Sequence, residues 1–569
     1  MSLSFSSGVE PLKKETNPLS LLQEWKAASM LLAASLERYV NECHRIKDVQ
    51  LNLAHALGNT SQIWDMFDDM DEELARLESY PSKLRQARVE VSVARNRSPK
   101  LAPIMDLPQE LLAHIFELVL FAEYRDRFIL DEFDYAGHKL EPLMHPNILS
   151  SVCTYWRQVA TNTPSLWVHI DLSVSGEHKE KYYARASRFI RKASNALLFV
   201  RIHHLAPSDP NDVQQLTTWL APIVGQIYSL NIFIGNPLFK ETLGSVLQCW
   251  LEHGTPGTVK ELSFLCYGFF HDLPRWLIKH TSASNPTSSQ LNVSSERFEE
   301  FFQPIVFLRL EGSFPPWRSQ AYHGLVYLHL GTGYIEEVEL IDLLSLSPRL
   351  RTLCFGIPIV DTRPRNTPII PVPLPLLEIL SLTRMNIDSV WSLLRLVAPG
   401  SGPLKLSLGN DFSNSEDSFT QIEEVQAFIQ RSNITTAHLT GRMDSGDIWF
   451  PKTCSDFPQL HTLTLNQYSL CNYVTDVAEN LFEAICPSLR ELCLVRCELE
   501  INLLVRLLRT HSIQVLRIAG CTMLIDNGPM KSLEELEHEL FTLIPNVKNY
   551  EDCKGGYSDF YLNWKFDYL

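Results

Sequence analysis

The chain has 569 residues, too many for one compact core, so either several domains or one elongated array is expected. Its apolar share of 45% and charged share of 20% are those of an ordinary water-soluble protein. A net charge of −16 excludes broad binding to nucleic acid or anionic membranes, which needs a basic face, and no apolar run is long enough to span a bilayer.

The first residues, Met1 to Gly8, lack the basic and apolar blocks of a signal peptide. Twelve cysteines are scattered among apolar neighbours without a recurring paired spacing. Together these predict free thiols in a reducing compartment, cytoplasmic and/or nuclear.

Residues 1–100 read as an all-α segment. Trp25, Leu32, Tyr39, Ile46 and Leu53 recur every seven residues, with Ala28, Leu36, Cys43 and Val49 between them. That spacing predicts a long helix over 19–57 with one apolar stripe. Gly58-Asn59 breaks it. Ser61 is placed to cap a second helix carrying Ile63, Trp64, Phe67, Met70, Leu74 and Leu77, with Tyr80-Pro81 as its end. A hairpin whose stripes face each other is expected; a self-associating coiled coil is the alternative. The acidic set from Asp65 to Glu73 reads as a solvated face.

Residues 101–175 offer more apolar surface than a small helical segment can bury within itself. Asp106 and Pro108 suit a helix start. Leu111, Leu112, Ile115, Phe116, Leu118 and Val119 then cover more than a single stripe. A second helix carries Leu149, Val152, Cys153, Trp156 and Val159, and stops at Asn162 to Pro164. Between them, Phe121 to His145 reads as a polar surface insertion (121–145). Leu107-Pro108, Glu110-Leu111-Leu112, Ile115-Phe116 and Val152-Cys153-x-x-Trp156-Arg157 together resemble the F-box, and Thr163-Pro164-Ser165-Leu166-Trp167 is similar to the ending of fungal F-box proteins.

That resemblance implies a substrate receptor of a Skp–cullin–F-box E3 ubiquitin ligase. Leu107, Pro108, Leu111, Leu112, Ile115, Phe116, Val152, Cys153 and Trp156 would meet the Skp-type adaptor, with Phe116 and Trp156 as anchors. The cullin scaffold would follow through the adaptor. A scaffold that uses the same parts outside any ligase is the alternative.

From residue 176 to 546 one short pattern returns. Leu325-x-x-Leu328-x-Leu330, Leu350-x-x-Leu353-x-Phe355, Leu377-x-x-Leu380-x-Leu382, Leu460-x-x-Leu463-x-Leu465 and Leu489-x-x-Leu492-x-Leu494 are clear copies. Weaker ones include Ile227-x-x-Leu230-x-Ile232 and Ile513-x-x-Leu516-x-Ile518. Alternate residues of a strand face opposite sides, so the last two apolar positions of each copy point into a core. One such turn cannot cover that face and must stack on the next. The array resembles degenerate leucine-rich repeats, an α/β solenoid. Val390 to Val397, Ile422 to Ile429 and Ile501 to Leu508 read as outer helices, and Thr281 to Glu300 as an irregular loop.

The residue between the two inward positions must then lie on the inner curve. In order these are Ser263, Arg309, His329, Cys354, Ser381, Ser407, His438, Thr464, Cys493 and Arg517. Arg309, His329, Ser381, Thr464 and Arg517 are the candidate contacts to an unknown protein substrate. Residues 547–569, rich in aromatics, read as a cap or tail.

No nucleophile elbow, phosphate-cradling loop, zinc-binding His-Glu-x-x-His or Cys-x-x-Cys pair is present. Cys486, Cys493 and Cys497 read as core thiols, and His203-His204 as the end of a strand. The chain is expected to be no enzyme, and to need no cofactor or metal.

Overall fold

The computed structural model describes residues 18–56, 60–96, 103–133, 144–176, 178–205, 209–235, 240–266, 275–278, 291–364, 367, 369–382, 385–409, 423–440, 457–470, 488–511, 513–524 and 546–549. The chain divides into two compact units, Met1–Asp106 and Leu107–Leu569.

The first unit holds two long helices, α1 (Pro18–Ala56) and α2 (Thr60–Asn96), and a short 3-10 turn, Pro103–Asp106. Pro81 does not end α2; the helix runs through it to Asn96. A proline removes one backbone bond and strains one turn, but the strong helix formers Lys83, Leu84, Arg85, Gln86 and Ala87 carry the helix on. Tyr39 Oη of α1 donates to Glu73 Oε1 of α2 at 2.8 Å. The expected mutual sealing of two stripes does not occur. Trp25 and Leu32 stay 49% exposed, and Leu36 and Ile46 are exposed as well. Among the described side chains of α2 only Met70, Glu73, Leu77, Ser79 and Val93 are half-buried, too few apolar side chains to seal that stripe.

The second unit opens with α3 (Gln109–Phe133), α4 (His145–Val152) and α5 (Thr154–Thr161). The insertion expected at 121–145 is in part a continuation of α3, which reaches Phe133; 134–143 lies outside the described residues. The single second helix expected from the sequence is two, because Cys153 takes an extended backbone (φ −156°, ψ 173°). Its sulfur then caps α5 by accepting from the Trp156 N–H. A 3-10 turn, Pro164–Trp167, leads into the first strand. Trp167 fastens this segment to the array: its indole N–H donates to the Ala160 carbonyl, and its ring meets Phe189 edge-on at 4.9 Å.

Fourteen parallel strands among the described residues follow one another in chain order in one sheet. They are β1 (His169–Ser173), β2 (Leu198–His204), β3 (Ile227–Ile234), β4 (Glu261–Cys266), β5 (Phe307–Glu311), β6 (Tyr327–Gly331) and β7 (Thr352–Gly356). Then come β8 (Ile379–Leu382), β9 (Leu404–Leu408), β10 (Ile434–Thr440), β11 (Thr462–Asn466), β12 (Glu491–Val495), β13 (Val515–Ala519) and β14 (Asn546–Asn549). Helices α6 (Lys179–Ala193), α7 (Pro210–Leu220), α8 (Lys240–His253), α9 (Ser295–Phe302), α10 (Glu337–Ser345), α11 (Ile387–Leu396), α12 (Glu423–Arg431) and α13 (Ile501–Thr510) form the connections.

This is the α/β solenoid the repeat pattern predicts. It begins earlier than expected, at His169, and Asn546–Asn549 is a strand of the sheet. Part of the stretch read as an irregular loop is helix α9. Of that stretch, 281–290 lies outside the described residues, as does the tail from Tyr550.

One row of the ladder, Leu230, Leu262, Leu308, Leu328, Leu353 and Leu380 among others, faces the helices and is at most 1% exposed. From the other side, Leu340, Leu343 and Leu344 of α10 and Leu393 and Leu394 of α11 close the core, each at most 1% exposed. Every turn of the chain thus fills the space left by its neighbour, which is why no single turn is stable alone.

Candidate interaction surfaces

Two places have the character of sites: the helical segment Leu107–Trp167 and the inner row of the sheet.

In the helical segment the first turn of α3 is anchored by Leu112 N–H donating to the Pro108 carbonyl at 3.1 Å. Tyr155 Oη donates to the Leu107 carbonyl at 3.2 Å and so ties α5 to that start. Arg157 Nε donates to the Ser150 carbonyl and braces the break at Cys153. Leu112, Phe116 and Leu120 of α3 are buried with Leu149 of α4 and Val159 of α5. Phe116 and the half-buried Trp156 meet at 4.9 Å between ring centres.

The expected docking set is divided between buried and open positions. Leu112 and Phe116 lie in the segment's own core, and Trp156 packs against it. Cys153 is half-buried and occupied as a helix cap. A different face is open. Leu111 is 53% exposed, Leu118 55% and Val152 53%; Ile115 and Ile148 are also exposed. Leu111, Ile115 and Leu118 fall at i, i+4 and i+7, one stripe of α3 turned roughly a third of the circumference from Leu112, Phe116 and Leu120. Ile148 and Val152 are one turn apart on α4. Pro108 is exposed, and Leu107 half-buried. Sequence reading gave Leu118 and Ile148 no docking role; the four-residue step from Ile148 to Val152 is the signal that could have found the second.

In the array, the residues expected on the inner curve do share one row. Ser263, Arg309, His329, Cys354, Ser381 and Ser407 are successive partners across β4 to β9. His438, Thr464, Cys493 and Arg517 continue it across β10 to β13. The register carries the row further than sequence reading did, through Asn231 to Arg201 and Asp171 at one end and to Lys548 at the other.

The row differs from expectation in being mostly closed. Arg309 and Ser381 are each 1% exposed, and Ser263, Cys354, Ser407, His438 and Cys493 are buried too. Short side chains stand between longer ones on strands about 4.8 Å apart, so their neighbours shade them. Arg201 donates from Nε and Nη2 to Asp171 at 3.1 and 3.0 Å, and Ser407 meets His438 at 3.1 Å. His329 Nε2 lies 3.3 Å from Glu311 Oε1. Burial opposes a charge on His329, but hydrogen bonds to Cys354 and Glu311 outweigh it and raise its pKa. Glu311 lies over Gly331, where a Cβ would stand 2.8 Å from Glu311 Cγ. Arg517 Nε is held by Glu491. Of the five candidate contacts, His329, Thr464 and Arg517 keep partial exposure; Arg309 and Ser381 are sealed.

The described cysteines are free thiols. Burial and the nearby Glu491 push Cys493 up to about 12. Cys497 is fully buried, and Cys486 lies outside the described residues. His203 and His204 end β2. His204 Nδ1 meets Thr242 Oγ1 at 2.8 Å, and His203 stacks on Phe233. Among the described residues no cluster could hold a metal ion, and no helix is long and apolar enough to cross a membrane.

No protein-family model matches the chain, and no curated protein matches it. A solved structure to which it is similar is titled "Plant peptide hormone receptor RGFR1 in complex with RGF2". The match has 14% identity, covers 59% of this chain and 49% of that one, and has a TM-score of 0.20. This chain therefore matches about half of that receptor's length. The solenoid assignment rests on the parallel sheet itself.

Proposed function

We propose that the chain is a non-catalytic substrate receptor of a Skp–cullin–F-box E3 ubiquitin ligase, docking on the Skp-type adaptor through its helical segment and holding a protein substrate on its repeat array. The observation that carries this reading is the pair of open apolar stripes, Leu111, Ile115 and Leu118 on α3 and Ile148 and Val152 on α4, beside a segment whose own core is already filled. Apolar surface left in water costs about 25 cal/mol per Å² relative to burial. A partner that covers both stripes recovers that energy. The transfer chemistry belongs to other subunits, and this chain contributes proximity.

On the array, Asn231, Thr464 and Arg517 keep partial exposure on the inner row, with His329 between its ion-pair partner and solvent. A substrate segment lying along the sheet would compete with Glu491 for Arg517 and with Glu311 for His329.

The test is co-purification of the full chain with a Skp-type adaptor. Leu111→Asp with Val152→Asp abolishes the complex and leaves the array's unfolding midpoint unchanged. Undiminished binding by that variant, or no binding by the parent chain, removes the ligase reading and leaves an interaction scaffold built on the same array.

A further inference from the structure

The inner curve carries a second row, two residues before the first on each strand and therefore on the same face. Over β1 to β6 this row is largely aromatic. His169, Phe199 and Phe307 are half-buried in it, and Tyr327 follows. Tyr228, also half-buried, joins the row as the extra residue of the register shift between β2 and β3. Ring centres of His169 and Phe199 are 4.9 Å apart, and those of Phe199 and Tyr228 5.5 Å. Phe307 and Tyr327 stack at 3.9 Å.

On β4 the rings are interrupted by Glu261, paired in register with Ser229 on one side and Phe307 on the other. Glu261 is half-buried. Burial raises its pKa, and a hydrogen bond with the Ser229 side chain offsets only part of that. Burial and then Glu261 raise the pKa of Tyr228, so phenol and carboxylate share one neighbourhood. No lysine, arginine or histidine among the described residues forms an ion pair with Glu261; the adjacent Lys260 donates to the Pro304 carbonyl instead. A carboxylate in such surroundings is costly until a cation reaches it.

The neighbouring rings indicate which cation fits. Tyr327 covers one face of Phe307, and the other face turns toward β4. Strands lie about 4.8 Å apart. A group resting over Glu261 is therefore within the roughly 6 Å at which an aromatic face attracts a cation, from the Tyr228 side and the Phe307 side alike. A flat guanidinium can stack on rings and donate to the carboxylate at once, which a compact ammonium cannot. With 66 acidic against 50 basic residues, the chain also attracts basic segments.

We propose that the inner curve over β3 to β5 is a binding site for an arginine of a basic, extended segment of the substrate protein, its guanidinium paired with Glu261 and stacked on Tyr228 and Phe307. Phe199 and His169 continue the row as an apolar bed for the adjoining residues. Such a site rests on the reading that the array holds a protein substrate, and specifies the chemistry that substrate brings; adaptor docking uses other residues.

The probe is a dye-labelled peptide alternating glycine and arginine, titrated with the full chain by fluorescence anisotropy at about 0.15 M salt, where exposed charges are largely screened. The parent chain binds it, and binds the lysine counterpart more weakly. Glu261→Gln keeps the shape and removes the charge; Phe307→Leu keeps an apolar side chain and removes the ring. Each weakens binding by roughly tenfold or more. Loss of one carboxylate from a chain of net charge −16 barely alters a diffuse attraction, so equal affinity of the parent and Glu261→Gln overturns the proposal. A parent chain that ignores the arginine peptide, or a lysine peptide that binds as well, overturns it too. Co-purification with the Skp-type adaptor, measured on the same preparations, stays at the parent level in both variants. Failure of the ligase reading shows in that measurement alone, and failure of the arginine site in the peptide titration alone.

Discussion

The helical segment Leu107–Trp167 and the repeat array are built from similar apolar residues and treat them differently. In the array each strand's inward pair is closed by helices such as α10 and α11, and even the row facing away from the core is largely shaded or ion-paired. In the helical segment only one face finds a partner in the fold; Leu111, Leu118 and Val152 are left more than half exposed. A repeat always has a neighbour to stack on, whereas three short helices enclose too little volume for all their apolar side chains. The open stripes are therefore where a partner protein gains the most.

The largest expected effects test whether the two regions are sealed as described. Phe116→Ala empties the centre of the helical segment and costs about 3–5 kcal/mol in chemical denaturation. Leu111→Ala, one residue before Leu112, stays within about 0.5 kcal/mol. Equal losses would erase the distinction between the core and the open stripe. In the array, Glu337 is fully buried at the start of α10, with Arg395 Nη2 2.9 Å away. Arg363 Nε also lies 3.6 Å from Glu337, so Arg395→Ala combined with Arg363→Ala leaves that carboxylate without a cation and costs about 3–5 kcal/mol.

A pH dependence follows from His203. Burial first, and then Arg201, lower its pKa to about 3. The unfolded chain, with the ordinary value near 6.5, binds the extra proton sooner. The stabilisation is complete above about pH 6.5 and is lost as pH falls toward 3, at about 1.4 kcal/mol per pH unit. His203→Phe, which keeps a ring on Phe233, removes that slope from urea midpoints measured at pH 4 to 7. An unchanged slope would mean that His203 takes up its proton in the folded array. A small effect is also expected at Arg517. Its pairing with Glu491 is a quarter exposed on both sides, so Arg517→Ala changes stability by at most about 1 kcal/mol.

The array was legible because its signals are local. Leu328-x-Leu330 and Leu353-x-Phe355 state which residues share a face without reference to any other part of the chain. The outer helices announced themselves in the same way, at Ile387–Leu396 and Ile501–Thr510. The candidate site was legible as a region but not residue by residue. The pattern Val152-Cys153-x-x-Trp156 marks the segment, yet the extended turn at Cys153 and the inward phase of Phe116 depend on contacts with residues up to 48 positions away, as between Tyr155 and Leu107. Pro81 shows the converse failure: a strong local stop signal was overridden by the helix formers that follow it.

By itself, then, the sequence determined the solenoid and the row from Ser263 to Arg517, because strand alternation has a period of two and needs no neighbour to fix it. Only the tertiary structure decided which apolar residues of α3 and α4 stay open and which cations of the inner row are already paired. Those outcomes turn on the space left between elements distant in the chain, and a helix with apolar residues on several faces buries whichever face its neighbours reach first.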